Sequence, residues 1–177
     1  MTTKILTIPG YGGSGEKHWQ TIWETEFENI QRVEQDDWDN PQLTLWVERL
    51  DSYIQKNERI LLVGHSLACA LISHWASNHN TSSIIGALLV APADVNSADH
   101  TPEEVRNFAP MPLAKLPFKS IVVASDNDPY VSLERAEFFA GAWGSKFINI
   151  GSYGHINAGS DLASWEFGKD LTQALCT

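Results

Sequence analysis

The stretch ILLVGHSLACAL, residues 60–71, places a serine between an apolar β-branched run and a run of small residues typical of a helix. Gly64 and Ala68 lie two positions before and after Ser66, where the G-x-S-x-G nucleophile elbow has glycines. That turn is so tight that only small residues fit there, and alanine is the next smallest after glycine. We therefore predict that the turn exposes Ser66 as a nucleophile; the alternative is a buried serine at a strand–helix junction.

A serine nucleophile needs a base that takes its proton and an acid that orients the base. The acid is predicted in IVVASDNDPYVS, residues 121–132, where an apolar strand ends in a turn with two aspartates. Asp128 precedes Pro129, which restricts its backbone to extended conformations. Asp126 is expected to support the turn instead, because aspartate side chains readily bond to nearby backbone. We assign the acid to Asp128, with Asp126 as the alternative.

The base is predicted in FINIGSYGHINAGS, residues 147–160, where a loop directly follows the last predicted strand. His155 in this loop is expected at the carboxyl edge of the sheet, where a base for Ser66 has to lie. Serine, acid and histidine then follow one another in the chain order typical of α/β-hydrolases. The other histidines fit this role less well: His65 adjoins the serine, His18 begins the first helix and could line a pocket, His74 and His79 lie on or near the helix after the serine, and His100 lies in a long loop.

Acyl transfer also needs two donors that face the developing negative charge, an oxyanion hole. One is predicted to be the backbone N–H of Leu67, directly after Ser66, and the other is expected from the loop PGYGGSG, Pro9–Gly15, after the first strand. Within that loop we choose the N–H of Tyr11, with Gly12 as the alternative. The loop has neither the G-x-x-x-x-G-K-[ST] nor the G-x-G-x-x-G spacing, so it is not predicted to cradle a nucleotide phosphate.

The sequence predicts no metal site and no cofactor. His74 and His79 are five positions apart rather than the four of a helical ligand pair, and Cys69 and Cys176 are far apart in the chain. The acidic residues within 36–39 are interpreted as a solvated loop rather than a calcium site.

Apolar strand patterns alternate with helical patterns along the whole chain, which indicates βαβ units and a largely parallel sheet covered on both faces. We expect one domain over residues 1–177. The long segment Ala91–Pro117 contains five prolines and is interpreted as a packed connector, with one short helix near Pro102–Asn107, that also walls the site. Strands are predicted at 5–8, 31–34, 60–63, 84–90, 120–124 and 147–150, and helices at 17–27, 42–55, 67–77, 133–143 and 161–175.

Composition limits the classes of partner. The 177 residues carry a formal net charge of −10, which argues against nucleic acid and anionic membrane surfaces because both select for Lys and Arg. No secretion signal and no apolar run of membrane-spanning length is recognised in the sequence. We therefore expect a cytoplasmic protein that acts on a small molecule.

These motifs together resemble the small α/β-hydrolase serine hydrolases typified by retinoblastoma-binding protein 9 and the bacterial YdeN-like proteins, over nearly the whole chain. The bacterial branch is more similar, through PGYGGSGEKHWQ, QDDWDNP, GHSLA, LPFKSIVVASDNDPY, AWGS and GHINAGS. The resemblance implies a compact α/β-hydrolase fold: a three-layer αβα sandwich with a six-stranded, mostly parallel sheet, without the usual N-terminal antiparallel strands, and with a minimal lid. It also implies a catalytic triad, which falls on Ser66, Asp128 and His155.

One property of the mammalian relative does not carry over. That protein has an L-x-C-x-E motif for pocket proteins, whereas the candidate here, LACAL at Leu67–Leu71, lacks the glutamate and lies in the helix after the serine. No pocket-protein binding is expected.

The predicted activity is hydrolysis of a small ester, or as second choice an amide, through an acyl-enzyme. Two alternatives stay open at this point. One is a lyase that uses the same three residues, and the other is a non-catalytic protein-binding module on a hydrolase scaffold.

Overall fold

A computed structural model describes residues 3–177. The strands are β1 (Lys4–Ile8), β2 (Ile30–Arg32), β3 (Ile60–His65), β4 (Ile84–Val90), β5 (Lys119–Ala124) and β6 (Lys146–Asn149). They form one sheet in the order β2-β1-β3-β4-β5-β6, and every neighbouring pair is parallel. The carboxyl ends of all six strands therefore lie along one edge of the sheet. The prediction of a parallel sheet of six strands is confirmed.

The helices α1 (Trp19–Glu26), α2 (Leu43–Ile54), α3 (Leu67–Asn78), α4 (Leu133–Trp143) and α5 (Glu166–Cys176) cover both faces of this sheet. Alternate strand residues point to opposite sides, so each face contributes to its own apolar core. Leu62 and Leu89 join a core cluster with α2, α3 and α4, whereas Val63 and Leu88 join a second cluster with α1 and α5. The result is the three-layer αβα sandwich of the α/β-hydrolase fold.

The last helix begins later than the sequence indicates. We predict a helix from residue 161, but α5 begins at Glu166. The backbone at Asp161, Ala163 and Trp165 has positive φ angles of 52°, 46° and 43°, which an α-helix does not allow. Helical periodicity in the side chains does not reveal these local backbone conformations.

The segment after β4 is a packed connector, as predicted. It contains one short 3₁₀ helix, Glu103–Phe108, and its apolar side chains Val105, Phe108, Met111 and Leu116 are buried in the core. No helix within residues 3–177 combines the length and the apolar character that crossing a bilayer requires.

Candidate active site

Ser66 lies at the turn between β3 and α3 with an unusual backbone conformation. Its φ and ψ are 58° and −119°, and such positive φ in a residue other than glycine costs roughly 1–3 kcal/mol. The turn is held on both sides, because Ser66 N–H donates to the carbonyl of Val90 at 2.9 Å and Ser66 O accepts from Cys69 N–H at 3.0 Å. This is the strained strand-to-helix turn that the motif predicts.

The alanine that replaces the last glycine of the motif fits this turn. A Cβ built on Gly64 would lie only 2.6 Å from Ile72 Cδ1 and 3.5 Å from the existing Cβ of Ala68. Ala68 is itself fully buried. The turn therefore has room for one methyl group at position 68.

Three of the predicted side chains form one hydrogen-bonded chain. His155 Nε2 lies 2.8 Å from Ser66 Oγ, and His155 Nδ1 lies 2.8 and 2.9 Å from the two carboxylate oxygens of Asp128. The Asp128 carboxylate is buried and also accepts from Tyr130 N–H at 2.9 Å. The Tyr130 ring packs on the imidazole with 4.4 Å between centroids. In this arrangement one ring nitrogen can take a proton from the hydroxyl while the other is held by a carboxylate.

The two candidate acids have different surroundings. Asp126 is exposed, its backbone N–H donates to Gly151 O, and its carboxylate accepts from Ser152 Oγ at 2.6 Å. Its carboxylate therefore bonds the neighbouring loop at Ser152 rather than, as predicted, the backbone of its own turn, and Asp128 is the aspartate in contact with His155.

The loop after β1 passes directly over the turn at Ser66. A Cβ on Gly10 would lie 2.8 Å from the carbonyl oxygen of His65, 2.9 Å from Ser66 Cβ and 3.1 Å from Leu67 N. Glycine is therefore required at this close approach of two backbones. The N–H of Leu67 begins α3, so it has no partner within its own helix.

The second predicted donor can be distinguished from its alternative by hydrogen bonding. Gly12 N–H donates to Trp38 O at 2.9 Å, and Gly13 N–H donates to Gly10 O at 3.0 Å. The N–H of Gly12 is therefore already used in a backbone hydrogen bond. Tyr11 N–H has no acceptor among residues 3–177, and its role as the second oxyanion donor stays a prediction.

Two aromatic N–H groups hold the backbone at His155, which the sequence did not reveal. His65 Nε2 donates to His155 O at 2.9 Å, and Trp19 Nε1 donates to Ile156 O at 2.8 Å. Ile156 is fully buried with φ of 49°, a strained conformation for a β-branched residue. These contacts join residues 90 and 137 positions apart, so no local spacing signals them.

His18 lies beside this cluster as the N-cap of α1. Its Nδ1 accepts from Gln20 N–H at 3.2 Å, and its ring is 4.7 Å from that of His65, which is in turn 4.8 Å from that of His155. Burial, followed by the positive charge of Arg32 and by His155, lowers the pKa of His18 to about 3. Burial, followed by His18 and His155, lowers the pKa of His65 well below its ordinary value. Both side chains are therefore neutral at pH 7.

Comparison with known proteins shows the family of this chain. A family model described as serine hydrolase matches residues 5–174. The chain belongs to this serine hydrolase family. No curated protein matches it significantly.

Solved structures similar to this serine hydrolase include two YdeN-type proteins. A protein described as a YdeN-like hydrolase from Pectobacterium atrosepticum is 30% identical, with a TM-score of 0.85, over 98% of this chain and 91% of that chain. The ydeN gene product of B. subtilis is 17% identical with a TM-score of 0.77, and 98% of each chain is covered. Est1E from Butyrivibrio proteoclasticus is 14% identical with a TM-score of 0.71, over 99% of this chain and 89% of that chain. The resemblance inferred from the motifs is confirmed.

A cavity of about 560 Å³ opens beside Ser66 in the serine hydrolase. One wall of the cavity comes from the connector after β4, as predicted. The lining residues include one acidic side chain, Asp99, and no Lys or Arg. Within residues 3–177, no group of three or more His, Cys, Asp or Glu is placed to hold a metal ion. The lining residues are Tyr11, Gly13, His18, His65, Ser66, Leu67, Ala93, Ala98–Pro102, Val105, Tyr130, His155 and Asn157.

Replacing Gly10 by alanine should lower kcat/KM of this serine hydrolase for p-nitrophenyl acetate by about 100-fold, because the added methyl group displaces the backbone beside Leu67 N–H. Gly15→Ala is the matched control, since a Cβ at Gly15 meets open space and its φ is not positive. Steady-state kinetics on both purified variants measures the difference. Equal activity of the two would contradict the close approach at Gly10.

Acid should destabilise the serine hydrolase through its neutral buried histidines. The unfolded chain binds protons at His18 below about pH 6.5, whereas the folded chain binds one only near pH 3. The stability that the folded chain gains from a neutral His18 is therefore complete above pH 6.5, and it is lost as the pH falls. The His18→Asn variant keeps an N-cap acceptor. Between about pH 6 and 5, its free energy of unfolding should fall less steeply than that of wild type, and the two slopes should differ by about 1.4 kcal/mol per pH unit. Urea unfolding at several pH values measures these slopes, and identical slopes would contradict a neutral His18.

Proposed function

We propose that this serine hydrolase cleaves a small ester, or as second choice an amide, through an acyl-enzyme on Ser66. The observation that carries the proposal is the chain of hydrogen bonds from Ser66 through His155 to Asp128. A hydroxyl in such contact with an oriented imidazole loses its proton as it attacks a carbonyl carbon. The cavity of about 560 Å³ beside Ser66 is of the size that takes small-molecule ligands.

In the first half of the proposed reaction, Ser66 Oγ attacks the carbonyl carbon and His155 Nε2 takes its proton. The carboxylate of Asp128 holds the tautomer of His155 that has its lone pair at Nε2, and it stabilises the imidazolium that forms. The oxyanion accepts from Leu67 N–H and Tyr11 N–H. Each such donor is worth about 2.7–4 kcal/mol of transition-state stabilisation.

In the second half, His155 gives its proton to the leaving oxygen, which departs as an alcohol and leaves an ester of Ser66. A water molecule then attacks this ester as His155 accepts its proton. The oxyanion forms between the same donors, and the return of the proton to Ser66 Oγ releases the carboxylic acid. The reaction as proposed uses no cofactor, since every proton moves between Ser66, His155, substrate and water.

An acyl-enzyme makes a prediction about how products divide between two acceptors. The phenyl and p-nitrophenyl esters of the same acid are hydrolysed in water that contains methanol, and the ratio of methyl ester to free acid is measured. A common acyl-enzyme gives the same ratio for both esters, because the leaving group has gone before the acceptor attacks. A ratio that depends on the leaving group would exclude the acyl-enzyme. Elimination products would indicate the lyase instead. An absence of turnover by folded protein would indicate the non-catalytic binding module.

A further inference from the structure

The side chain of Gln20, in the first turn of α1, is a fully buried amide. Its Nε2 donates to Ile8 O at 3.2 Å and to Val63 O at 3.0 Å, and its Oε1 accepts from Ser14 Oγ at 2.7 Å. Carbonyl oxygens can only accept, so the NH₂ group has to face Ile8 and Val63 and the oxygen has to face Ser14. Because an unpaired buried amide is costly, these bonds hold the side chain in one orientation.

The partners of this amide lie in the two segments that carry the predicted oxyanion donors. Ile8 ends β1 and directly precedes the loop Pro9–Gly15, and Ser14 lies near the other end of that loop. Val63 lies in β3, directly before the GHSLA turn. One amide therefore bonds both ends of the loop that contains the first predicted donor, Tyr11 N–H, and also the strand that leads to the second.

The distance between the two predicted donors depends on where this loop lies. The loop is already in close contact with the turn, because a Cβ on Gly10 would lie 3.1 Å from Leu67 N. An oxyanion is stabilised only when its donors lie about 2.7–3.1 Å from it, and a displacement of about 1 Å can lower the rate by about 100-fold. Gln20 is not among the residues that line the cavity, so it can act on this distance without touching the substrate.

Ser14 is also held through its backbone. Its carbonyl oxygen accepts from Thr21 Oγ1 at 2.9 Å and from Arg32 Nη1 at 3.0 Å. These bonds keep the end of the loop attached to α1 and β2 when the Ser14 hydroxyl is removed. Loss of that hydroxyl should therefore loosen the loop without unfolding it.

We propose that Gln20, acting through Ser14, is a positioning residue for the oxyanion hole. Its amide holds the loop after β1 against the end of β3, so that the N–H of Tyr11 stays beside the N–H of Leu67. The inference rests on the proposed function, because it assigns both residues to the oxyanion-binding step of that reaction. Loss of either side chain should weaken transition-state binding and leave the three residues of the triad in place.

Ser14→Ala and Gln20→Met test this role separately and in combination. Ser14→Ala removes the hydroxyl that bonds to Gln20, whereas Gln20→Met keeps the length of the side chain and removes its hydrogen bonds. For p-nitrophenyl acetate, kcat/KM should fall about tenfold in Ser14→Ala and about 100-fold in Gln20→Met. Because Ser14 acts through Gln20, adding Ser14→Ala to Gln20→Met should cost no more than about twofold.

Ser120→Ala is the matched control. Ser120 is 7% exposed against 5% for Ser14, and its hydroxyl bonds to Ser145 Oγ at 2.6 Å. It lies near the amino end of β5, at the edge of the sheet opposite to the site. This variant loses a comparable buried bond and should keep kcat/KM within about twofold of wild type.

A pair of inhibitors separates the oxyanion hole from a general structural role. Ser66 Oγ bonds to the carbonyl carbon of a trifluoromethyl ketone, its proton goes to His155 Nε2, and the carbonyl oxygen becomes an oxyanion; the matching methyl ketone binds without this addition. The ratio of the methyl ketone inhibition constant to that of the trifluoromethyl ketone should fall about tenfold in Ser14→Ala and stay unchanged in Ser120→Ala. The pH profile of kcat/KM should keep its shape. A purely structural role of Ser14 would lower the melting temperature and leave the inhibitor ratio unchanged.

The outcomes distinguish this inference from the proposed function. If folded Ser14→Ala keeps kcat/KM and the inhibitor ratio within about twofold of wild type, or costs the full tenfold in the Gln20→Met background, the positioning role is refuted and acyl transfer stands. If Gln20→Met does not fold, the comparison of Ser14→Ala with Ser120→Ala decides alone. If wild-type protein neither turns over the ester nor binds the trifluoromethyl ketone more tightly than the methyl ketone, the proposed function itself fails.

Discussion

Replacing Ser66 by alanine should lower kcat for p-nitrophenyl acetate by about 10⁴–10⁶-fold, because the nucleophile is lost while the oxyanion donors remain. The expected effect on folding is small. Ser66 is at the surface of the cavity, and its backbone N–H and carbonyl bonds to Val90 and Cys69 do not involve the side chain. Steady-state kinetics with highly purified protein, together with thermal unfolding, measures both effects.

The control for this substitution is Ser152→Ala. Ser152 is an exposed serine close to His155 in the chain, and its hydroxyl bonds to Asp126 rather than to His155. This variant should keep its activity within about twofold, as expected for a surface substitution away from the site. More than a few per cent of wild-type activity in Ser66→Ala would remove the serine from the mechanism.

Replacing Asp128 by asparagine should lower kcat by about 10⁴-fold with little change in the fold. An asparagine amide facing His155 Nδ1 favours a lone pair there, which places the ring proton on Nε2, opposite Ser66 Oγ. The base then cannot accept the serine proton. The asparagine oxygen can still accept from Tyr130 N–H, so the turn keeps that hydrogen bond.

Asp126→Asn is the matched control, since it makes the same chemical change two residues away. Its exposed side chain can still accept from Ser152 Oγ, so a loss below about threefold is expected. Kinetics of both variants across pH 6–9 decides between the two aspartates. A larger loss in Asp126→Asn than in Asp128→Asn would reverse the assignment of the acid.

Much of this site could be predicted because its parts are local or follow from the direction of the strands. Small residues around Ser66 allow one tight turn, and that constraint can be read from five consecutive residues. Asp128 and His155 follow strands β5 and β6, and parallel strands bring their carboxyl ends to one edge. The order of the elements alone therefore predicts that these three residues lie together at one edge of the sheet.

The supporting contacts could not be predicted, because they depend on packing between distant parts of the chain. Nothing near Trp19 in the sequence indicates that its indole N–H reaches the carbonyl of Ile156. The choice between Tyr11 and Gly12 depended on Trp38, whose carbonyl accepts from Gly12 N–H.

The central claim, that His155 activates Ser66 as a nucleophile, is tested most directly by reaction with a fluorophosphonate followed by peptide mass spectrometry. Wild-type protein should be labelled with one adduct, on the peptide that contains Ser66, while His155→Ala and heat-denatured protein should react at least about 100-fold more slowly. Labelling on another residue, or labelling of Ser66 at the same rate without His155, would contradict the account.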